Sequence, residues 1–147
     1  MLFKINQRET KRRVLDFFQT DFYYLEAMAG IKARDILPST KMAPKQIKTK
    51  EDARAELAVI RECLSRIHNG DGDYLSVRFL DGRSASEAAT YLNVSQSTYT
   101  EHLTRAAVEF AIAYATFGRD LRCPNNDLGD GNNGNLVQYD WRTSNYQ

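Results

Sequence analysis

The fold of this chain is decided by residues 83–99, which read RSASEAATYLNVSQSTY. Ser84 and Glu87 have the spacing of a capping box, in which two side chains bind each other's backbone N–H groups at the start of a helix. Ala88 and Ala89 follow, and their very small side chains let a second helix cross closely. This first half therefore predicts a short helix that begins after Ser84 and packs tightly against another helix.

The second half of the stretch predicts a tight turn and a second helix. Asn93 belongs to the few residue types that tolerate a left-handed backbone, as such a turn requires. Val94 is an apolar residue that can fill the corner between the helices, and Ser95 is a good N-cap for the next helix. Together these signals are typical of a helix-turn-helix unit, here spanning residues 84–105.

The outward face of the second helix carries the candidate function, because a recognition helix reads DNA bases with its exposed N-terminal residues. Helical spacing turns Tyr99, His102, Leu103, Ala106 and Phe110 inward. It leaves Gln96, Ser97, Thr100, Glu101, Thr104 and Arg105 outside. Gln can bond adenine bidentately, and Thr suits the thymine methyl group. The predicted DNA contacts of the unit are Arg83, Ser84, Ser95, Gln96, Ser97, Thr98, Thr100, Thr104 and Arg105. The alternative is that these are simply the exposed polar residues of a capped helix.

Charge is distributed unevenly along the chain. Residues 1–50 hold eleven Lys and Arg against five acids, a net +6, whereas residues 51–118 carry −4 and residues 119–147 carry −1. Attraction to phosphate must then come largely from the first third of the chain. Lys41, Lys45 and Lys48 are the predicted phosphate contacts there, with a merely solvated basic linker as the alternative.

Composition indicates an ordinary globular protein, since 42% of the 147 residues are apolar and 27% are charged. No apolar stretch approaches the roughly 18 to 20 residues of a membrane span, and the start does not have the pattern of a signal peptide. Cys63 and Cys123 are far apart and form no Cys-x-x-Cys pair, which fits a reducing cytosol. We therefore expect a cytoplasmic protein without membrane contact.

The periodicity predicts an all-α fold, a small helical bundle. Residues 1–30 form an N-terminal helix (7–29) with an apolar stripe that includes Val14, Phe18, Phe22 and Leu25. Residues 31–50 form a basic linker, and residues 51–118 form a helical domain whose first helix ends near residues 68–70. Residues 74–80 form a short helix. Residues 119–147 form an Asn/Gly-rich tail, in which residues 136–141 can form a short strand.

The end of the helical domain, AAVEFAIAYATF at residues 106–117, is apolar on almost every side. A helix of this kind must be buried. Either the aromatic stripe of the N-terminal helix covers it or a second copy of the chain does. The first arrangement is the prediction, and a homo-oligomer is the alternative.

The sequence contains no recognisable active site. His102 has no second His or Cys one turn away, and Cys63 lies on an apolar helix face as a core residue would. Residues 69–73 resemble the start of a calcium loop, but Tyr74 and Leu80 stand where such a loop needs Gly and Glu. We expect no metal, no cofactor and no enzymatic activity.

The order of these parts resembles known regulators. Ser95, Thr98, Tyr99, His102 and Leu103 follow the pattern Ser-x-x-Thr-apolar-x-x-His-Leu, which is similar to the helix-turn-helix of LuxR-type regulators and of the promoter-reading C-terminal region of sigma factors. Residues 5–118 resemble the ArpU family of phage and prophage regulators through the first helix ending LEAMAG, the middle helix, and SQSTY followed by AAVEFA. The recognition helix lacks Lys and Arg at its start, unlike the sigma-type pattern.

This resemblance implies a sequence-specific duplex-DNA-binding regulator of phage late (packaging and lysis) genes in a bacterial host. We expect it to act as an activator. Host RNA polymerase and further copies of the chain are the implied additional partners. Two other functions stay open at this point. One is a DNA-packaging protein of the terminase small subunit type, and the other is a helix-turn-helix interaction module that does not bind DNA.

Overall fold

The computed structural model describes residues 5–68 and 70–124, and 64% of these residues are helical. The helices are α1 (Gln7–Gln19), α2 (Asp21–Ala29), α3 (Lys50–Ser65), α4 (Gly72–Phe79), α5 (Ala85–Tyr91) and α6 (Gln96–Ala115), with a single 3-10 turn at Ala33–Asp35. This described part contains no β-strand, so the mainly helical class predicted from the sequence is confirmed. The strand predicted at residues 136–141 lies outside the described residues.

The long N-terminal helix expected from the sequence is two helices. The helix is interrupted at Thr20, where φ is −127° and ψ is −74°. The Thr20 hydroxyl donates to the Asp16 carbonyl at 2.7 Å, an alternative bond that Thr side chains offer the backbone at helix ends. The break lets α1 pack on α6 while α2 packs on α3.

The core is aromatic and lies between α1 and α6. The Phe18 ring lies 5.0 Å from that of Phe110, and the Phe17 ring lies 5.6 Å from that of Tyr114. All four side chains are buried. The prediction that α6 is covered within the same chain is therefore confirmed for this face. The helix is not buried all round, however, because Ile112 is 44% exposed.

Helix α3 begins as predicted and ends earlier than predicted. A capping box joins Thr49 and Asp52 at its start. The helix ends at Ser65 rather than near residues 68–70, because α4 starts against its last turn. A Cβ atom at Gly72 would lie 2.8 Å from the Leu64 carbonyl oxygen, so only glycine permits this close approach.

Residues 31–49 contact the helices at several points. The backbone N–H of Ser39 donates to the Ala58 carbonyl at 3.1 Å, and that of Ala43 donates to the Phe117 carbonyl at 3.1 Å. Ile47 is buried. The side chains of Lys41, Lys45 and Lys48 are exposed along this segment. The basic segment is thus attached to α3 and to the C-terminal end of α6.

A buried ion pair joins the end of the described chain to α3. Arg119 Nη2 donates to Glu56 Oε1 at 2.9 Å, and the Tyr114 hydroxyl also donates to the Glu56 carboxylate. Burial raises the pKa of Glu56, while Arg119 and Tyr114 oppose that shift. Because a buried carboxylate needs such partners, this network holds residues 119–124 against the bundle.

Cys63 is a core residue, as predicted, since its side chain is fully buried. Burial raises the pKa of its thiol to about 12, which keeps it protonated and unreactive near neutral pH. Within the described ranges, no helix has both the length and the apolar character needed to cross a membrane.

Candidate functional site

The candidate site is built on α5 and α6, called here the α5–α6 unit (residues 84–115). The capping box predicted for α5 is present. The Ser84 hydroxyl accepts from the Glu87 backbone N–H at 3.1 Å, and the Glu87 carboxylate accepts from the Ser84 N–H at 2.8 Å. This bond from the Ser84 backbone lowers the pKa of Glu87. The Ser84 side chain therefore serves the helix start.

The turn between the two helices also has the predicted geometry. Asn93 has φ +60°, and it is the one non-glycine residue with positive φ in the described part of the chain. Val94 is half-buried and packs against the core. The Ser95 hydroxyl accepts from the Thr98 backbone N–H at 3.1 Å and so caps α6, while donating to the Thr98 hydroxyl.

Small and aromatic residues hold the two helices against the bundle. Ala88 and Ala89 are buried between α5 and its neighbours, and Tyr99 and Leu103 are buried on α6. The Tyr99 hydroxyl donates to the Tyr74 carbonyl in α4 at 3.1 Å. Burial raises the pKa of Tyr99. These contacts hold the inner face of α6 against the bundle, so the opposite face points to solvent.

The opposite face of α6 is polar in its first two turns. Gln96, Ser97, Thr100 and Glu101 are exposed, and Thr104 is half-buried. The Thr100 hydroxyl donates to the Gln96 carbonyl at 3.0 Å, and the Thr104 hydroxyl donates to the Thr100 carbonyl at 2.9 Å. Each hydroxyl keeps acceptor capacity after donating. This face can therefore offer the Gln96 amide and the hydroxyl groups of Ser97, Thr100 and Thr104 to a ligand.

Arg83 lies beside α5 rather than beside α6. Its guanidinium lies 4.1 Å from the centre of the Tyr91 ring, a cation–π contact. The two residues, with Ser86, Glu87 and Thr90, line a shallow groove of about 400 Å³. Tyr91 is 59% exposed, so this groove opens to solvent. Tyr91 is not among the DNA contacts predicted from the sequence.

Arg105 does not project freely from α6. Its Nε donates to Asp71 Oδ2 at 3.4 Å, and its Nη2 lies 2.6 Å from His102 Nδ1. The other oxygen of Asp71 lies 2.9 Å from His102 Nδ1. Sequence reasoning missed Asp71, which precedes His102 by 31 residues and carries no local signal. The spacing of His102 and Arg105, one helical turn apart, is the one hint that they share a partner.

The predicted lysines are not brought together with the start of α6. Ala43 is bound to the carbonyl of Phe117, and Arg119 Nη2 donates to the Pro44 carbonyl, so Lys41 and Lys45 lie at the C-terminal end of α6. A helix rises about 1.5 Å per residue, which places this end roughly 30 Å from Gln96. Lys41 and Lys45 therefore belong to a surface separate from the predicted contacts at the start of α6.

Charge near the start of α6 is slightly negative. Residues 81–105 contain three acids, Asp81, Glu87 and Glu101, against the two cations Arg83 and Arg105, a formal net −1. Within the described ranges no cluster of His, Cys, Asp and Glu could hold a metal ion. The exposed polar side chains of this site can form hydrogen bonds with a ligand.

A scan against protein-family models and searches of curated proteins and of solved structures find no match to this chain.

Proposed function

We propose that the α5–α6 unit is a helix-turn-helix of the LuxR and sigma type and that the protein binds duplex DNA sequence-specifically. One observation carries this proposal. Asn93, in the left-handed conformation, joins two helices that are each capped by a serine, and the first turns of the second helix expose polar side chains. A recognition helix presents its N-terminal residues to the major groove in this way.

Base reading is assigned to Gln96 and Thr100, because both are exposed on the first two turns of α6. Ser97 and Thr104 flank them. The amide of Gln96 can bond the N6 and N7 edge of adenine, and Thr100 can pack its methyl group on thymine. Ser84, Ser95 and Thr98 act mainly in capping, and Arg83 with Tyr91 offers a phosphate contact beside α5.

The biological role follows from the resemblance of residues 5–118 to the ArpU family. On that basis the protein regulates transcription of phage late genes in the cytoplasm of a bacterial host, as an activator that meets RNA polymerase or acts as an oligomer. The uncharged start of α6 fits a regulator that reads bases more than one that coats DNA, because phosphate attraction dominates non-specific binding.

The proposal is tested with the double variant Gln96→Ala/Thr100→Ala. A preferred site is first selected from a random duplex pool and mapped by footprinting. Each good base contact contributes about 1–3 kcal/mol of discrimination, so the variant should lose at least about 2 kcal/mol of preference. Gln19→Ala/Thr40→Ala, at exposed positions outside the α5–α6 unit, is the matched control. If Gln96→Ala/Thr100→Ala prefers the same site, with the same free-energy difference over random duplex as wild type, this assignment is wrong.

A second function is favoured by the net −1 of residues 81–105 and by the ion pair that occupies Arg105. Both features suit a unit that binds protein rather than DNA. Measuring size in solution, alone and with the selected duplex, separates these functions. A complex of small size supports the regulator, absence of any complex supports the interaction module, and a large ring indicates a packaging protein.

A further inference from the structure

The turn between α3 and α4 brings Asp71 into contact with α6. Asp71 is 2% exposed, and its two carboxylate oxygens face different residues of α6. One oxygen lies 2.9 Å from His102 Nδ1, and the other accepts from Arg105 Nε at 3.4 Å. The His102 ring also stacks on Tyr74 with 4.9 Å between ring centres. The cluster thus fixes one face of α6 in place.

We propose that Asp71 is a specificity-determining residue that restrains Arg105 and so weakens sequence-independent binding to phosphate. This inference rests on the proposed DNA-binding function. Arg105 is the one Lys or Arg in α6, so its availability decides how strongly this helix attracts a phosphate backbone. While Asp71 holds Arg105, α6 must bind DNA through its uncharged polar residues.

Burial makes the restraint effective. A buried carboxylate is costly without partners, so Asp71 retains Arg105 and His102 in preference to leaving its oxygens unpaired. The Arg105 side chain is 48% exposed, so a phosphate could approach it while the ion pair is in place. A phosphate would have to compete with a carboxylate that is already bonded and shielded from water. The charges of Asp71 and Arg105 also offset each other, which removes the local electrostatic attraction for a phosphate group.

The first test compares Asp71→Asn with Asp73→Asn in binding to random duplex DNA. Both variants remove one negative charge, but Asp73 is exposed and two residues away in α4. If Asp71→Asn frees Arg105 to hold one phosphate, the plot of log K against log salt should steepen by about 0.9. Affinity for random duplex at 50 mM salt should then rise several-fold over that of Asp73→Asn, and the ratio of specific to random binding should fall.

A second variant keeps the test informative if Asp71→Asn melts too early to be measured. Arg105→Gln changes a half-exposed side chain and should leave the salt slope of wild type unchanged, since the pair already withholds this cation. A slope that flattens by about 0.9 in Arg105→Gln would show that Arg105 holds a phosphate despite Asp71, and would overturn the inference.

Elution from heparin separates this inference from the proposed function, because a polyanion tests the release of Arg105 without any DNA site. Asp71→Asn should elute at higher salt than Asp73→Asn, and adding Arg105→Gln should abolish that difference. Equal elution of the two single variants would overturn the restraint by Asp71. Loss of duplex binding in wild type together with the expected heparin shift would overturn the DNA-binding function alone.

Discussion

Single residues in the turn between α5 and α6 control the direction of the second helix. Asn93 has φ +60°, and its backbone N–H bonds to the Thr90 carbonyl at 3.0 Å. The next residue, Val94, donates its N–H to the Ala89 carbonyl at 3.0 Å. These bonds close the end of α5 and place Ser95 where it caps α6. The exposure of Gln96 and Thr100 depends on this one backbone conformation.

The turn is tested by replacing Asn93. Asn93→Ala should lower the free energy of unfolding by about 1 kcal/mol, because a β-carbon without a helpful polar group is strained in the left-handed region. Asn93→Gly should be close to wild type, since glycine adopts this conformation readily. Urea unfolding of the two variants, with Thr90→Ala as an exposed control in α5, measures the difference. Equal stability of the Ala and Gly variants would show that the turn does not need positive φ.

At the scale of elements, α6 serves two purposes along its length. Its first two turns expose polar residues, and its later turns carry Ala106, Phe110 and Tyr114 into the aromatic core. The same helix that presents the candidate interface is therefore the central support of the bundle.

The support from α1 is tested with Phe110→Ala and its matched control Ile112→Ala. Phe110 is fully buried, and its ring contacts Phe18, whereas Ile112 is 44% exposed on the same helix. The first variant should lose about 3–5 kcal/mol of stability through lost burial and the cavity left behind. The second should lose much less.

Thermal melts of wild type and Phe110→Ala over a range of protein concentrations complete this test. Because α1 covers Phe110 within the chain, the melting temperature should not depend on concentration in either protein. A melting temperature that rises with wild-type concentration, and no longer does so in Phe110→Ala, would place Phe110 at an interface between subunits.

At the scale of the whole molecule, the basic segment and the start of α6 lie at opposite ends of a helix roughly 30 Å long. This length is close to one turn of duplex DNA. If both surfaces hold the same duplex, the DNA must run along the molecule and the bound site must be correspondingly long. Lys41 and Lys45 would then contribute phosphate contacts at a distance from the bases that we propose α6 reads.

The triple variant Lys41→Gln/Lys45→Gln/Lys48→Gln tests this arrangement. If each lysine holds a phosphate, the slope of log K against log salt should flatten by about 2.7 on a long duplex. The same variant should behave like wild type on a short duplex of about eight base pairs centred on the selected site, because the lysines cannot reach it. An unchanged slope on the long duplex would show that the three lysines are solvated and do not contact phosphate.

Much of the α5–α6 unit could be predicted from the sequence because its signals are local. The capping box of Ser84 and Glu87, the left-handed Asn93 and the cap at Ser95 each involve residues at most three apart. The burial of Tyr99 and Leu103 follows from helical spacing alone. Such short-range preferences act on the chain before any tertiary contact forms.

Local sequence signals are therefore enough to predict the helical class, the turn at Asn93 and the polar face of α6. The tertiary structure alone decided that α1 and α2 separate at Thr20, that Asp71 holds Arg105, and that Lys41 and Lys45 lie far from Gln96. Each of these features depends on which elements pack together, as in the ion pair that joins residues 34 positions apart. Periodicity shows which face of a helix is buried, but the partner of that face is chosen by the packing of the whole core.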